Sequence, residues 1–141
     1  MLPPRQTDKV MENKQLIDNV EKNIHWTWRD ATEYDIDEGD LTDDTVMNLL
    51  DLSSIVGAAK KEVKLRMIYE DGVNTSLMRI RNGDQSNNYC GAALKCYAAN
   101  TLYDSYIDVQ TNSDGKIYLQ TDPKASDWTR IDITVRAYKD A

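Results

Sequence analysis

Beyond Thr45 apolar residues fall on every second position through most of the chain, and that period of two marks strands with one buried face. From Glu62 to Asp71, Val63, Leu65, Met67 and Tyr69 alternate with Lys64, Arg66, Ile68 and Glu70. Ser76 to Arg81 repeats the pattern, with Met78 and Ile80 facing opposite Leu77 and Arg79. An apolar stretch, Tyr89 to Ala99, follows the polar loop Asn82 to Asn88. Tyr106 to Thr111 and Lys116 to Thr121 are two further strands, and Trp128 to Tyr138 closes the series. In that last strand Ile131, Ile133, Val135 and Ala137 share one face, and Arg130, Asp132, Thr134 and Arg136 the other. Asp71-Gly72 turns the chain, and Asn112-Ser113-Asp114-Gly115 predicts a hairpin, because Gly tolerates the positive φ that such turns need. Roughly seven or eight short strands with no helical period between them predict an all-β, antiparallel sandwich of jelly-roll type and exclude parallel βαβ units.

The pattern differs before this zone. Val10, Ile17 and Ile24 recur at intervals of seven, with Val20 between them and Asn13 at the other intermediate position. This predicts a short helix over residues 1–24 after Pro3-Pro4, N-capped by Thr7 or Asp8. Such a helix is marginal alone in water, so it packs on its own domain, associates with copies of itself, or docks on a partner. Trp26 and Trp28 then alternate with polar neighbours, as a half-buried strand would. The division expected is an arm of residues 1–24 and a β-domain of residues 25–141.

Charge sharpens that division. The net charge of −7 lies wholly in residues 1–50, where 12 Asp and Glu face 5 Lys and Arg, while residues 51–141 carry 12 of each sign. No basic stripe of the kind that follows a nucleic-acid backbone is present, so neither nucleic acid nor an anionic membrane surface is an expected partner. No apolar run approaches the ~20 residues that cross a bilayer, and the segment after Met1 lacks the apolar core of a secretory signal. A soluble protein folded in a reducing cytoplasm is expected. Cys90 and Cys96, placed on one strand, would stand about 20 Å apart, too far for a disulfide.

His25 is the only histidine and has neither a second histidine nor a cysteine pair beside it. Asp35-x-Asp37 begins like a calcium loop, but Asp40 occupies the place of the turn glycine and Val46 that of the bidentate glutamate. The carboxylates from Asp30 to Asp44 are expected to form a solvated acidic loop, with a surface cation site as the alternative. Neither a phosphate-binding glycine loop nor a Gly-x-Ser-x-Gly elbow occurs. No cofactor, metal or catalytic residue is predicted, and the protein is expected not to be an enzyme. Trp26, Trp28 and Trp128 are candidate ligand-contact rings for a sugar or a receptor, against the plainer reading that such rings build the core.

One ordered series resembles a known group. Asn48-Leu49-Leu50-Asp51-Leu52-Ser53-Ser54-Ile55-Val56 leads into Val63-Lys64-Leu65-Arg66-Met67, then Met78-Arg79-Ile80-Arg81-Asn82-Gly83 and a Ser-Asn-rich loop. Asn112 to Leu119 and Trp128 to Tyr138 complete it. This run resembles the small β-sandwich modules of tailed-bacteriophage virion proteins: head decoration proteins, head fibres and tail components. The resemblance implies a non-enzymatic structural protein of the virion, assembled in the host cytoplasm and often trimeric. It further implies attachment to capsid or tail proteins of the same particle through the N-terminal segment, here Val10, Ile17, Val20 and Ile24. The alternative function is a carbohydrate- or receptor-binding module acting on a host surface glycan.

Overall fold

The computed structural model describes residues 25–141. Among the described residues nine strands run in chain order: β1 (Thr27–Trp28), β2 (Ile36–Asp37), β3 (Asn48–Asp51), β4 (Lys61–Glu70), β5 (Leu77–Arg81), β6 (Ala92–Lys95), β7 (Tyr103–Gln110), β8 (Lys116–Asp122) and β9 (Arg130–Asp140). A single helical turn, α1 (Ser53–Val56), follows β3. All pairings are antiparallel and they make two sheets. One runs β1–β9–β4–β7, with β2 also against β9, and the other runs β3–β8–β5–β6.

The alternation along β4 dictates which face goes inward. Val63, Leu65, Met67 and Tyr69 are all at most 4% exposed. Met78 and Ile80 from β5, Ile117 and Leu119 from β8, and Ile131, Ile133 and Val135 from β9 meet them in one cluster between the sheets. Each such side chain contributes roughly 1.5–3 kcal/mol by leaving water. This one core therefore outweighs anything the short edge strands contribute. The fold is a sandwich-like all-β domain, as the period of two predicts.

Three expectations are corrected by the way the strands pair. First, the Asn112–Gly115 turn forms as its residues dictate: Gly115 has φ +77°, and Asn112 N donates to Lys116 O at 2.9 Å. It does not close a hairpin, because β7 pairs with β4 while β8 pairs with β3 and β5. The chain crosses there from one sheet to the other, as it does after Asp71-Gly72. Among neighbours in sequence only β5 and β6 pair directly. Around it lie nested pairings, β1 and β2 with β9, β3 with β8 and β4 with β7, and β4 with β9 and β5 with β8 cross these to complete the two sheets.

Second, β9 is bulged. Leu65 stands opposite Val135 but Lys64 stands opposite Ala137, so Arg136 is the extra residue. Past the bulge the alternation changes phase: Ala137 leaves the face of Ile131, Ile133 and Val135, and Tyr138 packs against the core instead. Third, of the apolar stretch Tyr89 to Ala99 only Ala92–Lys95 is strand, and Tyr89 and Tyr97 are 97% and 75% exposed. Asn88–Cys90 forms a short 3-10 turn, capped by the Asn87 side chain accepting from Tyr89 N. Val10, Ile17, Val20 and Ile24, with the helix assigned to them, lie outside the described residues.

Candidate functional site

The acidic stretch is not a free loop. Along the edge of β9 the chain pairs as β1, leaves the sheet over Asp30–Tyr34, and returns as β2. Between the two, Val135 has no backbone partner on that side, and an ion pair takes its place. Asp35 Oδ2 accepts from Val135 N at 2.8 Å, and Arg29 Nη1 donates to Val135 O at 2.9 Å. The guanidinium and carboxylate are themselves joined by bonds of 2.6 and 2.9 Å. That bond is the main reason the Arg29 guanidinium titrates above its ordinary range.

Neighbouring carboxylates do similar work. Glu38 accepts from Ile131 N, Asp37 and Asp40 form a capping box on the turn Glu38–Asp40, and Asp43 accepts from Ser126 N. Asp44 accepts from Val46 N and from the Asn48 amide. These acids are turned to separate backbone donors rather than toward one point. Among the described residues no group of three or more His, Cys, Asp or Glu side chains comes together in the manner of a metal site. The acids from Asp30 to Asp44 are exposed or half-buried, as a solvated acidic loop would have them, and the segment is in addition stitched to β9 and to the turn Ala125–Asp127.

Trp28 lies on the outer face of the five-stranded sheet, 60% exposed. It is not buried as a half-buried strand would require, since β1 is only two residues long and Trp28 pairs with Ala137 past the bulge. The bulge residue Arg136 holds its guanidinium 5.7 Å from the Trp28 ring and 4.3 Å from the Tyr106 ring, within the range of cation–π attraction. Tyr106 is itself 61% exposed. Trp26 is half-buried between two ammonium groups, Lys64 at 4.5 Å and Lys139 at 5.0 Å. Those lysines also pair with Asp108 and Glu62. The result is a surface of rings clamped by cations, with Trp28, Arg136 and Tyr106 as its most exposed part.

Trp128 does not join it. It is 4% exposed, stacks edge-on to Tyr69 at 6.4 Å, and donates its indole N–H to Pro123 O at 2.9 Å. Its apolar ring and its one donor are both satisfied inside, so Trp128 is a core residue and not a ligand contact. Tyr106 was legible in the alternation of β7, which sets it among Asp104 and Asp108. Arg136 was not, because nothing in the sequence marks the bulge. His25 is exposed, Cys90 is exposed, and Cys96 is buried, where lack of solvent pushes its thiol above the ordinary value. Among the described residues no helix is long and apolar enough to cross a membrane. No protein-family model matches the chain, and no curated protein is significantly similar to it.

Proposed function

We propose that this chain is a non-enzymatic structural protein of a tailed-phage virion, a capsid decoration or head-fibre protein. In this reading residues 1–24 attach to capsid or tail proteins, and the β-domain is a displayed jelly-roll head, arranged as a homotrimer. The observation that carries the reading is the nested pairing of β1/β2 with β9, β3 with β8, β4 with β7 and β5 with β6. That order is what a folded-over ribbon of strands produces when it wraps into a jelly roll, an architecture used by viral capsid and lectin domains. Fold alone does not fix function.

The test is particle association. A chain lacking residues 1–24 should keep the melting temperature of the intact protein but no longer co-sediment with capsids of the parent phage. Undiminished co-sedimentation of the shortened chain refutes attachment through the arm, and a monomer by light scattering refutes the trimer. The second reading, a module that binds a host surface glycan or receptor, is favoured by the exposed Trp28 and Tyr106 rings around Arg136. Trp28→Ala should abolish glycan-array binding with an unchanged melting temperature, and a blank array with the intact protein refutes it.

A further inference from the structure

The opposite sheet carries two arginines that, among the described residues, lie within ion-pair distance of no carboxylate. Arg79 and Arg81 are alternate residues of β5, outward because Met78 and Ile80 between and beside them are buried. Arg29, Lys60, Lys61, Lys64, Arg66, Arg130 and Lys139 each lie within ion-pair distance of an acid among the described residues, whereas Arg79 and Arg81, like Lys95, Lys116, Lys124 and Arg136, do not. What sets Arg79 and Arg81 apart is that they stand together under one loop. Arg81 lies over the Tyr118 ring at 4.4 Å and donates through Nη1 to Asn88 Oδ1 at 2.8 Å. Its Nε is closed off from solvent with no acceptor, a cost the fold leaves uncompensated.

The loop between β5 and β6 completes an open cleft over these arginines with Ser86, Asn87, Asn88 and Tyr89. The hydrogen-bond directions there are one-sided. The side-chain oxygens of Asn87 and Asn88 are already engaged, by Tyr89 N and by Arg81. Each oxygen keeps at most one lone pair, while both NH2 groups still offer donors, beside the Ser86 hydroxyl and the Arg79 guanidinium. A lining of donors without an acid asks for an acceptor-rich anion. At the rim the Tyr89 ring is 97% exposed, held there by the Asn87 cap.

We propose that this cleft binds an acidic saccharide. A sugar carboxylate would sit on the Arg79 guanidinium, whose geometry allows two parallel hydrogen bonds, with the Arg81 charge beside it. Ring hydroxyls would accept from the Asn87 and Asn88 amides, and the apolar face of the sugar would lie on Tyr89. The neutral donors and the exposed ring favour a saccharide over an acidic peptide, whose backbone would demand acceptors as well. The site is on the other sheet from Trp28 and stands independently of the virion reading.

Isothermal titration of the full-length protein tests it with hexagalacturonate and a sialic acid tetramer as probes. At least one of them should bind, with affinity falling as salt rises, and the uncharged methyl ester of the binder should not bind at the same concentration. Arg79→Gln should weaken binding about tenfold or more, the value of a charge-assisted hydrogen bond. Tyr89→Ala should weaken it about two- to tenfold. Both residues are outside the core, so neither change should move the melting temperature. No binding of either probe at millimolar concentration, or equal binding by Arg79→Gln, overturns the site. Equally tight binding of poly-glutamate, indifferent to Tyr89→Ala, overturns the saccharide and assigns the cleft to acidic peptide.

Discussion

Replacing Asp35 by alanine would remove the group that stands in for a missing strand. Its carboxylate accepts three hydrogen bonds, from Arg29 Nη1, Arg29 Nη2 and Val135 N. Val135 is fully buried, so its N–H has no water to turn to. An unsatisfied buried donor costs about 1–3 kcal/mol. Breaking a buried ion pair can cost about 3–5 kcal/mol, but the Arg29 side chain is 27% exposed and keeps its bond to Val135 O, so water recovers part of that. The sum expected for Asp35→Ala is about 2–4 kcal/mol. Asp35→Asn keeps an oxygen that can accept from Val135 N and loses only the charge, which predicts about half that cost.

Urea denaturation followed by far-ultraviolet circular dichroism reads both values, with the slope against denaturant unchanged if only stability shifts. Amide exchange gives a local check: Val135 N–H should exchange faster in Asp35→Ala, while Ile117 N–H in the other sheet follows global stability alone. A cycle with Arg29→Ala should show coupling of about 1 kcal/mol or more, as expected of residues in one network. If Asp35→Ala costs under about 0.5 kcal/mol, the usual range of surface substitutions, the carboxylate is not replacing a backbone partner. Equal cost for Asn and Ala would point to the charge rather than the acceptor.

Other expectations rest on single contacts. A Cβ on Gly83 would stand 2.1 Å from Lys116 O and 2.6 Å from Asn112 N; Gly83→Ala should therefore lower stability by about 2–3 kcal/mol in denaturant titration. Cys90 should react with a thiol reagent in the native protein and Cys96 only on unfolding, since burial shields it and pushes its thiol up; two fast thiols would contradict this. Hydrogen bonds from Arg66, Ser53 and Ser126 hold Asp104, Asp51 and Asp43 below the ordinary aspartate value of 3.8. The unfolded chain then binds protons first, so stability holds above that value and falls as pH drops through the lowered ones. Melting temperatures across the acid range should show the fall. Asp104→Asn should flatten part of it, and an unchanged slope in that variant would remove Asp104 as a source.

What could be read from the residues alone was decided by burial. The faces of β4 and β5 follow from alternation because a one-residue slip would expose every apolar side chain at once. Partner choice does not follow in the same way. Asn112–Gly115 encodes a reversal, and a reversal serves a hairpin or a crossing between sheets equally well. The outcome is decided by β4 and β8, distant in sequence. The bulge at Arg136 is silent for a related reason: one inserted residue costs little locally, yet it moves Ala137, still fully buried, to the other face of the sheet, brings Tyr138 against the core, and leaves a guanidinium between Trp28 and Tyr106. The acidic stretch is legible as solvent-facing, but the backbone donors that Asp35, Glu38 and Asp43 cap come into view only in the fold. Arg79 and Arg81 show the most consequential gap. In sequence they are two cations on a strand, like Lys64 and Arg66 on β4. Only the fold shows that Lys64 faces Asp108 and that Arg66 reaches diagonally to Asp104, while Arg79 faces Ala93 and Gln120 and makes no ion pair with its diagonal neighbour Asp122. A site of this kind is defined by the partner that a charge lacks, and that is a property of neighbours, which composition and periodicity cannot carry.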